Sequence, residues 1–126
     1  MNTTVKHFLT LSLACGLSVA AFTVPASAQN NAPKPVDHSR IVQDTIRTKN
    51  FDKIAEVVDA ALKDPAFTPD KKSNVCILYA RFLVNEKKAD QGIEWFNKAT
   101  TIQGITPEAL VYARNCLAEY YNSKQF

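Results

Sequence analysis

Two stretches decide the fold: TPDKKSNVCILYARFL at residues 68–83 and TPEALVYARNCLAEYY at residues 106–121. They begin 38 residues apart, each with threonine, then proline, then a carboxylate. That order is helix-start chemistry. A threonine hydroxyl accepts from an orphan N–H, proline at the first helical position has no N–H to leave unpaired, and an acidic side chain suits the positive end of the helix. Laid over each other, the stretches put Val75 on Ala113, Leu78 on Cys116, Tyr79 on Leu117, Phe82 on Tyr120 and Leu83 on Tyr121. The same offset carries Lys49-Asn50-Phe51-Asp52 onto Lys87-Lys88-Ala89-Asp90, Val58 onto Phe96 and Ala61 onto Ala99. A lone apolar stripe would match itself at multiples of a helical turn without also aligning turns and caps, so the pattern reads as an internal repeat.

Working outward, the helical period predicts five helices over 40–49, 51–63, 69–87, 89–103 and 107–124. Asp64-Pro65 stops the second, and Gly104 is a C-cap candidate for the fourth. No segment alternates with period two and no Asn-Gly or Asp-Gly pair marks a hairpin in the folded part, so the expected class is all-α.

Gly92-Ile93-Glu94-Trp95-Phe96-Asn97-Lys98-Ala99 resembles the second helix of a tetratricopeptide repeat, with Gly92, Phe96 and Ala99 at the small, aromatic and alanine places and Ala80 at the small place of the preceding helix. With Gly104 and Ala109-Leu110 following, the stretch is also similar to Sel1-like repeats. The resemblance covers 37–126. It implies a short right-handed stack of helix hairpins, about two and a half units built from five helices, because one hairpin cannot cover its own apolar face. It further implies a protein- or peptide-binding inner surface carrying Asn74, Ile77, Arg81, Val84 and Asn85, extended on the fifth helix by Arg114, Ala118, Tyr121 and Asn122. Of these, Asn74, Arg81, Asn85, Arg114, Tyr121 and Asn122 have the polar or aromatic groups to hold an extended peptide. The same positions also read as ordinary exposed helix surface. The alternative role is structural. Tyr120, Tyr121 and Phe126 make the fifth helix apolar for a cap, which suits docking onto another chain of an envelope complex, or else a core edge covered by tyrosine rings.

The 126 residues, +3 net charge and 46% hydrophobic content fit one folded domain rather than a disordered chain or a dedicated nucleic-acid binder. The densest basic runs, Lys71-Lys72 and Lys87-Lys88, flank the third helix at opposite ends instead of forming one stripe. Residues 1–28 read as a signal peptide: Lys6, an apolar run from Phe8 to Phe22, Pro25, then Ala26-Ser27-Ala28 before cleavage at Gln29. The alternatives are a retained membrane anchor or lipidation at Cys15. Residues 29–36, QNNAPKPV, read as a flexible lead, and the expected destination is the periplasm or the exterior, with no membrane attachment after cleavage. There Cys76 and Cys116 are either a disulfide, since stacked units bring their first helices side by side, or two buried thiols acting as small apolar groups.

Site chemistry is sparse. Past the leader only His38 remains as a histidine, and Asp37-His38-Ser39 is better read as a helix cap than as a triad. Asp52, Glu56 and Asp59 read as one solvated helix face, and Gly92 and Gly104 do not make a phosphate loop. The expectation is a non-catalytic protein with no cofactor and no metal.

Overall fold

The computed structural model describes residues 34–124. The leader and most of the lead segment lie outside them, as do Cys15 and Phe126. Pro35 begins the folded unit. Its elements are α1 (His38–Arg47), α2 (Phe51–Lys63), α3 (Pro69–Asn85), α4 (Ala89–Thr100) and α5 (Pro107–Lys124), with no strand among the described residues.

Local chemistry sets the helix starts. Asp37 accepts from the Arg40 amide at 3.1 Å, Asn50 from Lys53 at 3.1 Å, and Thr68 from Lys71 at 3.3 Å. Thr106 does more. Its hydroxyl accepts from the Ala109 amide at 3.3 Å and donates to Asp70 at 2.7 Å, while its own amide donates to the other Asp70 oxygen at 2.9 Å. The acidic residue that complements the start of α3 therefore also holds the start of α5.

The turns repeat as well. Lys49, after α1, and Lys87, after α3, are the two non-glycine residues with positive φ among the described residues, at 58° and 67°. Both stand just past a helix C-terminus, where the left-handed conformation lets backbone amides return to the last carbonyls: Lys49 to Ile46, Lys87 to Val84, and Lys88 to Leu83 at 2.8 Å. Lys87 thus leaves α3 two residues shorter than its apolar pattern predicts. The fourth helix also ends early, at Thr100 rather than Gln103. The Thr100 and Thr101 hydroxyls donate to the carbonyls of Asn97 and Lys98, and Gly104, at φ 85°, lies in the following connection rather than at the cap.

The core falls into two clusters on either side of α3. The first joins Val42 of α1, Ile54, Val58 and Ala61 of α2, the connecting Phe67, and Val75, Tyr79, Phe82 and Leu83 of α3. The second joins Cys76, Ile77 and Ala80 of α3, Phe96 and Ala99 of α4, and Ala113, Cys116 and Tyr120 of α5. Val58, Ala61, Val75 and Phe82 of the first cluster are followed 38 residues later by Phe96, Ala99, Ala113 and Tyr120 of the second. Helix α1 packs on α2 and α3, α3 on α4, and α5 on α3 and α4, with no contact between α1 and α5. The protein is therefore an all-α stack of helix pairs sharing α3, not a bundle around one axis. Helix α3 is buried on two sides, so its apolar residues do not keep to one stripe.

The α3–α4 pair is held closest. A Cβ added at Gly92 would stand 2.6 Å from Val84 Cγ2 and 3.0 Å from the Ala80 carbonyl. At the far end of this pair, buried Ser73 donates to the Ala99 carbonyl at 2.7 Å. That bond satisfies one of the carbonyls left open where α4 terminates.

Candidate functional site

Two grooves run along the exposed side of α3. The first, about 680 Å³, lies between α1 and α3 and is lined by Gln43, Ile46, Arg47 and Lys49 from one side and Leu78, Arg81, Phe82, Asn85 and Glu86 from the other. The second, about 320 Å³, lies between α3 and α5, with Phe96 of α4 also lining it. Its walls are Arg81, Val84 and Asn85, then Cys116, Glu119, Tyr120 and Ser123. The grooves are related by the same offset. Adding 38 takes Gln43 to Arg81, Ile46 to Val84, Arg47 to Asn85, Leu78 to Cys116, Arg81 to Glu119, Phe82 to Tyr120 and Asn85 to Ser123. Arg81 and Asn85 border both.

Their charges differ. The first groove holds Arg47, Lys49 and Arg81 against the single acid Glu86, which lies 3.4 Å from Lys49 Nζ. The second sets Arg81 against Glu119. The Arg81 guanidinium makes no ion pair with a described carboxylate and donates instead to Cys116 Sγ at 3.2 Å, a weak acceptor. Beside it, the buried Tyr120 hydroxyl has no hydrogen-bond partner among the described residues. Its ring is occupied, 5.8 Å from Phe96 and 5.8 Å from Tyr121.

All six residues expected to hold a peptide are exposed, but only Arg81 and Asn85 border a groove. Asn74, Arg114, Tyr121 and Asn122 line neither. Ile77 is buried in the second cluster instead of facing outward. The far wall of the second groove, Cys116, Glu119, Tyr120 and Ser123, was not anticipated. The signal was present, since Glu119 and Ser123 stand 38 residues after Arg81 and Asn85.

The disulfide expectation is corrected: Cys76 and Cys116 are free thiols. Both lie buried in the second core cluster as small apolar side chains, and desolvation pushes the Cys76 thiol up to about 11.

Elsewhere the polar groups are structural. Buried His38 sits 2.8 Å from Asp64 and edge-on to Phe67, with ring centroids 4.9 Å apart. The hydrogen bond to His38 and another from the Ala66 amide hold the Asp64 carboxyl below its ordinary range, and the two Thr106 bonds do the same for Asp70. Asp59 pairs with Lys63 at 2.9 Å on the exposed face of α2. Lys88 lies over the Phe51 ring at 4.8 Å, tying the second hairpin's turn to α2. Among the described residues no three His, Cys, Asp or Glu side chains gather in a way that could hold a metal ion, and no described helix is long and apolar enough to cross a membrane.

No family model, curated protein or solved structure matches this chain.

Proposed function

We propose that the protein is an exported, non-catalytic helical-repeat module that binds a protein or peptide partner in the periplasm. The observation that carries this reading is the recurrence of one groove at a 38-residue offset, with Arg81 and Asn85 shared between the copies. Successive equivalent grooves suit an extended segment that crosses α1, α3 and α5 in turn. The excess of cations in the first groove favours an acidic stretch there. Kinship with tetratricopeptide or Sel1-like repeats belongs to the same proposal. It is supported by the close approach of Gly92 to the α3 backbone at Ala80 and by the matching left-handed turns at Lys49 and Lys87.

Titration of the purified protein into fluorescent extended peptides of matched length tests this. Acidic peptides bind, basic ones do not, and Arg81→Glu with Arg47→Glu abolishes binding while helical content is retained. Equal binding of both peptide classes, or indifference to the charge reversals, refutes the reading.

A second reading, a structural subunit docking through α5, is favoured by one observation. Val111, Tyr112 and Tyr121 are exposed large apolar residues on that helix. Sedimentation velocity separates the two: a monomer that binds peptide supports the first, and association lost in Val111→Ser/Tyr112→Ser supports the second.

A further inference from the structure

We infer that the cavity between α2, the start of α3 and the end of α4 binds a phosphomonoester carrying an apolar body. The cavity, about 410 Å³, shares no residue with either groove, so the inference stands apart from peptide binding. Its volume is within the range that holds a small ligand. Lys63 of α2, Lys72 of α3 and Lys98 of α4 line it together with the apolar Leu62, Pro69 and Ile102. Three helices thus bring one ammonium each to a pocket with a partly apolar wall.

Two of these lysines have a local reason for their place, and the third does not. Lys63 and Lys98 stand in the last turns of α2 and α4, where a cation complements the negative helix end. Lys72 stands in the first turn of α3, where a cation faces the positive end, and it is half-buried there. A charge placed against its own helix and partly withdrawn from water is a departure from local consistency of the kind that marks a functional site.

The acids around the start of α3 are engaged elsewhere. Asp70 accepts both bonds from Thr106, and Asp64 is bonded to His38 and to the Ala66 amide. Asp59, the one acid in the cavity wall, lies 2.9 Å from Lys63 Nζ. Lys72 and Lys98 make no ion pair with a described carboxylate, and Lys98 lies over the Trp95 ring at 4.7 Å instead. Three cations against Asp59 leave an excess of two, which matches the charge of about −1.5 to −2 on a phosphomonoester at pH 7. The cations are all lysines, point charges suited to phosphate oxygens, and the cavity has no arginine fork to select a planar carboxylate. Leu62, Pro69 and Ile102 receive the apolar body of the ester.

The test is an amide chemical-shift titration of the folded chain with phenyl phosphate, inorganic phosphate and benzyl alcohol. Phenyl phosphate is expected to bind at least roughly tenfold tighter than either of the others, with shifts at Leu62, Lys72 and Ile102. Lys72→Gln and Lys98→Gln should each weaken it at least roughly fivefold. Lys71→Gln, adjacent in sequence but outside the cavity, and Arg81→Gln, in the grooves, should leave it unchanged. Without ligand, Lys72→Gln should keep or raise the urea midpoint, because it removes a cation from the positive helix end. Phenyl phosphate binding no tighter than inorganic phosphate, equal weakening by Lys71→Gln or Arg81→Gln, or a lowered midpoint in Lys72→Gln would overturn the inference. Vesicles of phosphatidylcholine containing phosphatidate distinguish the source of the ester. Sedimentation with them that is lost in Lys72→Gln supports the site with a lipid headgroup as ligand, and phenyl phosphate binding by a chain that ignores the vesicles supports it with a soluble ester.

Discussion

Replacing Gly92 by alanine should destabilise the protein, although the same change in most helix interiors stabilises. Alanine is favoured over glycine by about 0.8–1 kcal/mol in a helix interior, so propensity alone predicts a gain. Here the added Cβ would stand 2.6 Å from Val84 Cγ2 and 3.0 Å from the Ala80 carbonyl oxygen. The valine methyl can turn aside, but the carbonyl belongs to the backbone of α3 in the middle of the second core cluster, where Ala80 is fully buried. Relieving that approach means moving α4 away from α3, and overpacking of this kind costs about 1–3 kcal/mol. Crowding outweighs propensity, leaving a net loss of about 1–2 kcal/mol at the upper part of that range. For a domain of this size that is a drop in Tm of roughly 4–8 °C per kcal/mol. Urea melts followed by far-ultraviolet circular dichroism would give the change in midpoint at constant slope. A Gly92→Ala protein as stable as the parent, or more so, would show that α3 and α4 do not approach this closely.

Lys87→Gly should act in the opposite sense. It removes the Cβ penalty at φ 67° and should stabilise by up to about 1 kcal/mol in the same melts, and no change would mean the turn is not left-handed there. Ser73→Ala should cost about 1 kcal/mol or more, because it leaves the buried Ala99 carbonyl without its donor, and a neutral effect would contradict that bond. Asp64 and Asp70 both have lowered carboxyl pKa values, so the stability each contributes is present above the ordinary unfolded range, near 4, and is lost as pH falls through the lower folded values. The urea midpoint should therefore fall on acidification below about pH 4, and Asp70→Asn should flatten the part of that slope due to Asp70.

What could be read from the residues alone divides by scale. Caps and turns are local, and Asp37, Asn50, Thr68 and Thr106 act through amides three residues away, so their spacing is visible in the chain. The helix ends were harder. Thr100 and Thr101 compete for carbonyls of α4 with their own hydroxyls, and Lys87 adopts a conformation more usual for glycine. The site was only half legible. Arg81 and Asn85 border the grooves as the face of α3 implies, but the repeat-like register that points to Arg114, Tyr121 and Asn122 on α5 does not bring them to the groove wall. Following the offset from Leu78, Arg81, Phe82 and Asn85 leads to Cys116, Glu119, Tyr120 and Ser123, which do form the wall. Ile77 is buried rather than outward-facing because α3 is covered on two sides, so its inward positions extend beyond a single stripe.

The stacked arrangement is tested most directly by side-chain nuclear Overhauser effects in solution. A stack sharing α3 gives cross-peaks between Val42 and residues of α2 and α3, and between the Phe96 and Tyr120 rings, whose centroids lie 5.8 Å apart, with none between Val42 and Tyr120. Cross-peaks linking Val42 of α1 to Ala113 or Tyr120 of α5 would mean that the helices close around one common core, and neither the two clusters nor the paired grooves would survive that result.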